Sequence, residues 1–131
     1  MKLPHKHYKN DDKIDFLLEE EKASDISKAF RHLGDSKRLQ IFWLLCHRKE
    51  CVINIAAIMG MSSPAISHHL KILKTAGLIS SKREGKEMFY KANDNKLSEF
   101  MFNVILDTKI YRNKKDKLKN EVNYSIRIPD F

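Results

Sequence analysis

Apolar positions recur at two spacings along this chain, and the spacings divide it into elements. Ile14, Leu17, Leu18, Ile26, Ala29, Phe30 and Leu33 recur at helical intervals, which predicts a first helix stopped by Gly34. Asp35 or Ser36 is placed to cap a second helix. Residues 37–47 carry Leu39, Ile41, Phe42, Trp43, Leu44, Leu45 and Cys46; apolar on most sides, they read as the buried central helix. Cys51, Val52 and Ile53 read as a short strand, and a brief helix over 54–59 ends at Gly60. Ser62 or Ser63 then caps a further helix with Pro64 in its first turn, where the missing N–H costs nothing. It runs to about residue 76, and Gly77 supplies a left-handed cap.

The period then changes to two. Residues 78–81 and 87–91 read as strands, joined by the basic turn Lys82-Arg83-Glu84-Gly85-Lys86 with the glycine a hairpin needs. Asp94 can cap a last helix from 95 to about 111, after which residues 112–119 are strongly basic. Residues 1–12 are expected to be a flexible polar arm, 13–111 the folded domain and 112–131 a mobile basic tail. The predicted fold is mainly α with a small β-hairpin: a winged helix-turn-helix.

The helix over 63–76 separates its residues by face. At 3.6 residues per turn, Ile66, Leu70 and Leu73 share one side. Pro64, Ser67, His68 and Lys71 share the other, with Lys74 at its edge. A helix with short polar side chains in its N-terminal half can enter a major groove closely, its Ser and His reaching base edges and its lysines reaching phosphates. Arg83 and Lys86 in the hairpin would meet the flanking backbone or minor groove. Taken alone, this is either a DNA-reading face or an ordinary solvated helix face; the short helix, the Gly60 turn, the capped helix and the basic hairpin together favour DNA.

Charge sharpens the picture. The 131 residues hold 25 Lys and Arg against 17 Asp and Glu, a net charge of +8, which suits a polyanionic partner through counterion release. With 42% hydrophobic and 32% charged residues the composition is globular, and no apolar run approaches the ~18 residues of a membrane span. A polar N-terminus without a signal-peptide pattern and only two cysteines point to the cytoplasm. No glycine-rich phosphate loop, nucleophile motif or paired catalytic carboxylates stand out, so the expectation is not an enzyme. The rival reading, a winged helix that binds protein or RNA, would require an aromatic or apolar outer face on the 63–76 helix.

Three stretches carry a family resemblance. Residues 30–41, Phe-Arg-His-Leu-Gly-Asp-Ser-Lys-Arg-Leu-Gln-Ile, resemble the opening of the ArsR (arsenic-repressor) domain. Residues 61–73, from Met61 through Ser67, His68, His69 and Leu70 to Leu73, are similar to that family's recognition helix. Gly77-Leu78-Ile79, then Arg83 to Lys86 and Phe89-Tyr90, match its wing. The resemblance covers about residues 22–111. It implies a homodimer that binds double-stranded operator DNA as a repressor and is released by an inducer, often a metal ion. The base-contacting positions it implies are Ser63, Pro64, Ser67 and His68; the family often has Gln where Ser63 stands.

The same resemblance suggests where a signal would act. Metal-sensing relatives often carry Cys-Val-Cys where this chain has Cys51-Val52-Ile53, with further ligands from the N-terminal arm, where His5 and His7 stand. A thiolate with imidazoles would suit zinc, cadmium or lead. The alternative takes Cys46 and Cys51 as packing residues and the arm histidines as solvated. A second family site, on the last helix, would fall on Asp94, Lys96, Asp107 and Ile110; with no histidine and a lysine in a ligand position, it is expected to be absent. A redox variant would pair Cys46 with Cys51. His68 and His69 project about 100° apart on a helix, so one is assigned to DNA and the other to packing. The last helix, with Leu97, Phe100, Met101, Phe102, Val104, Ile105, Leu106 and Ile110, offers more apolar surface than one small domain can cover. Dimerisation through the first and last helices is expected.

Overall fold

The computed structural model describes residues 1–9, 13–112 and 130–131. Most of the expected basic tail therefore lies outside the described residues, as do the last three residues of the expected arm. Among the described residues five helices and three short strands follow in the order α1 (Glu20–His32), α2 (Ser36–His47), β1 (Glu50–Cys51), α3 (Val52–Met59), α4 (Ser63–Thr75), β2 (Ile79–Glu84), β3 (Glu87–Ala92) and α5 (Lys96–Arg112). This is the winged helix-turn-helix order, and none of these helices is long and apolar enough to cross a membrane.

The first helix is shorter than the apolar spacing predicts. Ile14, Leu17 and Leu18 lie outside it, in backbone that is neither helix nor strand, and are exposed. The physical reason is the polar stretch between Leu18 and Ile26, which breaks the stripe, so the leading residues have no surface in the single chain to pack on. A helix start unsupported by packing is marginal. α1 begins instead where Glu20 and Glu21 can sit against its positive N-terminal end.

α2 is the centre of the core. Asp35 caps it by accepting from the Arg38 N–H at 3.0 Å, and Ile41, Phe42, Leu45 and Cys46 are buried along it. The strand predicted at 51–53 falls at Glu50–Cys51 instead, because Cys51 is the extended cap of α3 and Val52 already enters the helix. β1 pairs antiparallel with β3, placing Cys51 opposite Phe89, and β3 pairs with β2, giving the order β1-β3-β2. Buried Glu50 pins this junction, since its carboxylate accepts from Asn54 Nδ2 at 2.9 Å and from the Arg48 guanidinium.

α3 and α4 form the helix-turn-helix. Gly60 takes φ +62, a left-handed conformation that suits glycine, and the Met61 N–H donates to the Ala56 carbonyl at 3.0 Å. Ser62 Oγ then accepts from the Ala65 N–H at 3.3 Å, and Pro64 stands in the first turn. At the far end of α4, Gly77 at φ +79 reverses the chain into β2. The carbonyls of Gly77 and Leu78 receive four hydrogen bonds from the start of α5 and the residues before it. Asn93 Nδ2 and Asn95 Nδ2 each donate to Gly77 O at 2.8 Å, and Asn93 N and Ser98 Oγ each donate to Leu78 O at 2.9 Å. Asn95, rather than the expected Asp94, caps α5, accepting from the Ser98 N–H at 2.8 Å.

Candidate nucleic-acid interface

The periodicity of α4 drives Ile66, Leu70 and Leu73 into the core, which fixes what the helix shows outward. Ser63, Pro64, Ser67, His68 and Lys71 are all exposed and lie on the N-terminal three turns. Lys74 is exposed too, but its Nζ donates to Ser81 Oγ at 2.6 Å, so it links the end of α4 to β2. The outer face thus runs from small hydroxyl side chains at the helix start to cations at its end. Small side chains allow close approach to a groove, and cations further along meet its phosphate walls.

The two histidines of α4 separate as their spacing requires. His68 points into solvent, whereas His69 is half-buried against α2, with Nδ1 3.4 Å from the Arg38 guanidinium. Burial pushes the His69 pKa below the ordinary imidazole value, and the positive charges of Arg38 and His68 push the same way against an opposing pull from Asp35. Arg38, whose guanidinium can only donate, faces this ring and also donates through Nε to the His32 carbonyl at the end of α1. Arg38 joins α1, α2 and α4. Apolar spacing does not reveal this residue, which stands in the polar first turn of α2 beside Lys37.

β2 and β3 make the wing. Glu84 pairs with Glu87, leaving Gly85 and Lys86 as a two-residue turn in which Gly85 takes φ +63. That sign pattern matches a II′ turn, whose twist suits the flanking strands. The strands are longer than the sequence spacing predicts, so Arg83 sits on β2 opposite Met88 and Lys86 at the tip. Both are exposed, as is Lys82. Lys49 Nζ bonds Glu84 Oε1 at 2.9 Å and steadies the base of the turn.

The residues singled out for a metal are not brought together. Cys51 is buried at the start of α3, and Cys46 is buried in α2, where burial pushes its thiol up to about 12. His5 and His7 lie stacked in the exposed arm, ring centres 6.2 Å apart. Among the described residues, no three His, Cys, Asp or Glu side chains gather where an ion could be held. The donor types suit a soft or borderline divalent ion, but one chain does not assemble them into a site.

Comparison with known proteins places this geometry. Residues 35–81, which span α2 to the start of β2, match the family model described as bacterial regulatory protein, arsR family. A cadmium resistance transcriptional regulatory protein CadC homolog of Staphylococcus aureus is 31% identical over 98 residues, covering 72% of this chain and 81% of the relative. An uncharacterized HTH-type transcriptional regulator of Methanocaldococcus jannaschii is 42% identical over 82 residues, 62% of this chain and 89% of the relative. Among solved structures, a homodimeric winged helix-turn-helix DNA-binding domain from Mycobacterium bovis superposes with a TM-score of 0.64 at 21% identity, over 85% of this chain and all of that one. A helix-turn-helix whose α4 shows a small polar face, a basic wing and these relatives lead to one conclusion: the chain belongs to the arsR family of bacterial regulatory proteins and is a DNA-binding transcriptional regulator.

Proposed function

We propose that this chain is a cytoplasmic, dimeric repressor that reads operator DNA with the outer face of α4 and grips the adjoining backbone with its wing. The observation that carries the reading is the exposed face of α4, where Ser63, Pro64, Ser67 and His68 precede Lys71 and Lys74 while Ile66, Leu70 and Leu73 point inward. Arg83 and Lys86 extend the cationic surface along the wing. The test is a titration of the protein against its own promoter region over a salt series. Saturable binding with a steep salt slope is expected, and equal affinity for promoter and random duplex would overturn the operator reading.

Dimerisation is supported by the apolar surface of α1 and α5. Ile26, Phe30 and Phe100 remain 41%, 46% and 49% exposed, and Phe30 meets Phe100 edge to face at 6.3 Å. Apolar side chains clustered on two adjoining helices suit a two-fold interface, and a dimer presents two reading helices to two half-sites.

The releasing signal is proposed by class. The relative named for cadmium resistance supports cadmium, and the donor types of Cys51, His5 and His7 suit zinc and lead as well. Because these residues do not converge within one chain, no step of release is derived through a metal. Repeating the titration with each ion and with oxidant tests it: operator affinity unchanged by every ion removes the metal reading and leaves DNA binding untouched. A disulfide signal through Cys46 is disfavoured, since a buried thiol with a pKa raised to about 12 forms little thiolate.

A further inference from the structure

Two histidines stand side by side on α4 and face different surroundings. His68 is exposed on the outer face and His69 is half-buried against α2, their ring centres 5.9 Å apart. His69 Nδ1 sits 3.4 Å from a terminal nitrogen of the Arg38 guanidinium. A guanidinium has only donors, so this contact is a hydrogen bond only while Nδ1 carries a lone pair. Arg38 is engaged elsewhere as well. Its Nε donates to the His32 carbonyl at the end of α1 at 2.5 Å, and its backbone N–H donates to Asp35 Oδ1 at 3.0 Å. One residue therefore ties α4 to α2 and to α1, and the tie to α4 depends on a proton. We propose that this contact is a proton-operated latch: neutral His69 holds α4 where it reads the operator, protonated His69 lets it go, and acid thereby weakens operator binding. The proposal rests on the operator reading above and adds a means of control to it.

The groups around the ring give the sign. A proton on Nδ1 turns the acceptor into a donor and sets a second positive charge against Arg38, and like charges at this distance repel. Burial disfavours the charged ring, as do Arg38 and His68, while the Asp35 carboxylate favours it. The balance lies below the ordinary 6.5, so the latch is closed at neutral pH and opens as the pH falls. Asp35 is not a second switch over this range, because the bond from the Arg38 N–H holds its carboxyl below the usual carboxylate value. From α1 the His32 carbonyl is joined through Arg38, and the half-buried His32 imidazole is the titratable group at that helix end. His68 acts in the opposite direction. On the outer face its proton adds positive charge toward phosphate, which strengthens binding to any duplex. The latch acts through the placing of α4, so its effect falls on base-edge contacts and hence on the operator more than on random DNA.

The test compares the full chain as wild type, His69→Gln and His68→Gln on its own promoter region and on a random duplex, at about pH 8 and about pH 5.5 and one salt concentration. Glutamine offers Arg38 an acceptor and takes up no proton. For wild type the ratio of promoter to random affinity is expected to fall about fivefold at the lower pH, a size usual for coupling between two sites. For His69→Gln that ratio is expected to stay within about twofold of its own value at the higher pH. His68→Gln is expected to keep the fall in the ratio and to lose the acid gain on random DNA. A wild-type ratio that falls no further than that of His69→Gln overturns the latch and leaves the operator reading standing. Wild type with no preference for the promoter at the higher pH removes the operator reading and the latch together. A second readout needs no variant and so survives a His69→Gln chain that fails to fold. Linkage requires that a proton which weakens operator binding be held more weakly in the complex. An NMR titration of the wild-type imidazoles is therefore expected to show the His69 pKa falling on addition of the promoter duplex, by at least about 0.7, the logarithm of the fivefold change. A His69 pKa that stays or rises with the duplex overturns the proposal.

Discussion

The outer face of α4 and the outer face of α1 with α5 are built from helices of similar length, yet they ask for opposite surroundings. α4 divides its residues cleanly, with Ile66, Leu70 and Leu73 inside and Ser67, His68 and Lys71 outside. α5 does not divide. Met101, Phe102 and Leu106 are buried, Val104 and Ile105 are half-buried, and Phe100 is 49% exposed on yet another side. A helix that has placed all its apolar residues needs only water or a polar partner beyond it, whereas one with apolar residues left over needs another protein surface. The difference teaches that one chain carries two kinds of surface, and in the proposed dimer the second is satisfied before the first acts on two half-sites.

The contrast breaks most strongly at α5. Phe100→Asp or Val104→Asp is expected to yield folded monomers by light scattering, with operator affinity reduced at least about a hundredfold because the paired reading helices are lost. Variants that remain dimeric would move the interface elsewhere. The core between the two faces comes next. The Cys46 thiol is raised to about 12 in the fold from an ordinary 9.0, so only the unfolded chain releases its proton readily. Its contribution to stability is therefore complete below about pH 9 and falls as pH rises toward 12, by about 1.4 kcal/mol per unit. Denaturant unfolding from pH 8 to 10.5 should show wild type losing roughly 2 kcal/mol more than Cys46→Ala over that range; parallel curves would contradict the burial argument.

On the polar face the effects are smaller and of a different kind. Arg83→Ala and Lys86→Ala are each expected to weaken specific and random duplexes alike, by about tenfold at low salt, and to lower the salt slope by about 0.9. An unchanged slope in both would take the wing off the DNA. Ser62→Ala removes the cap of α4 at Ala65 N and should cost about 1 kcal/mol of folding stability, read by thermal melts, with the dimer unaffected.

Much of this was legible from residue spacing alone. Gly60, Ser62, Pro64 and Gly77 mark the ends of α3 and α4 because cap and turn chemistry is local, and the outward set on α4 follows from a period of 3.6. What was not legible depended on neighbours distant in sequence. Ile14, Leu17 and Leu18 keep a helical spacing but lack a surface in one chain, so the helix begins only at Glu20. Val52 and Ile53 favour strands by type, yet β1 stops at Cys51 because the helix-turn-helix claims the next residues. The Arg38 contacts to His69 and His32, and the buried carboxylate of Glu50, join residues that no periodicity brings together.

The four hydrogen bonds converging on the carbonyls of Gly77 and Leu78 give the molecule a mechanical property. They clamp the root of α5 to the root of α4, so the two helices share a fulcrum while their far ends lie apart. α4 is 13 residues long, about 20 Å at 1.5 Å per residue. A tilt of about 10° at the fulcrum sweeps Ser63 through roughly 3 Å, the length of a hydrogen bond. In the proposed dimer, any change in how two copies of α5 lie against each other is thereby magnified at the tips of the two α4 helices, where about 10° separates touching a base edge from missing it.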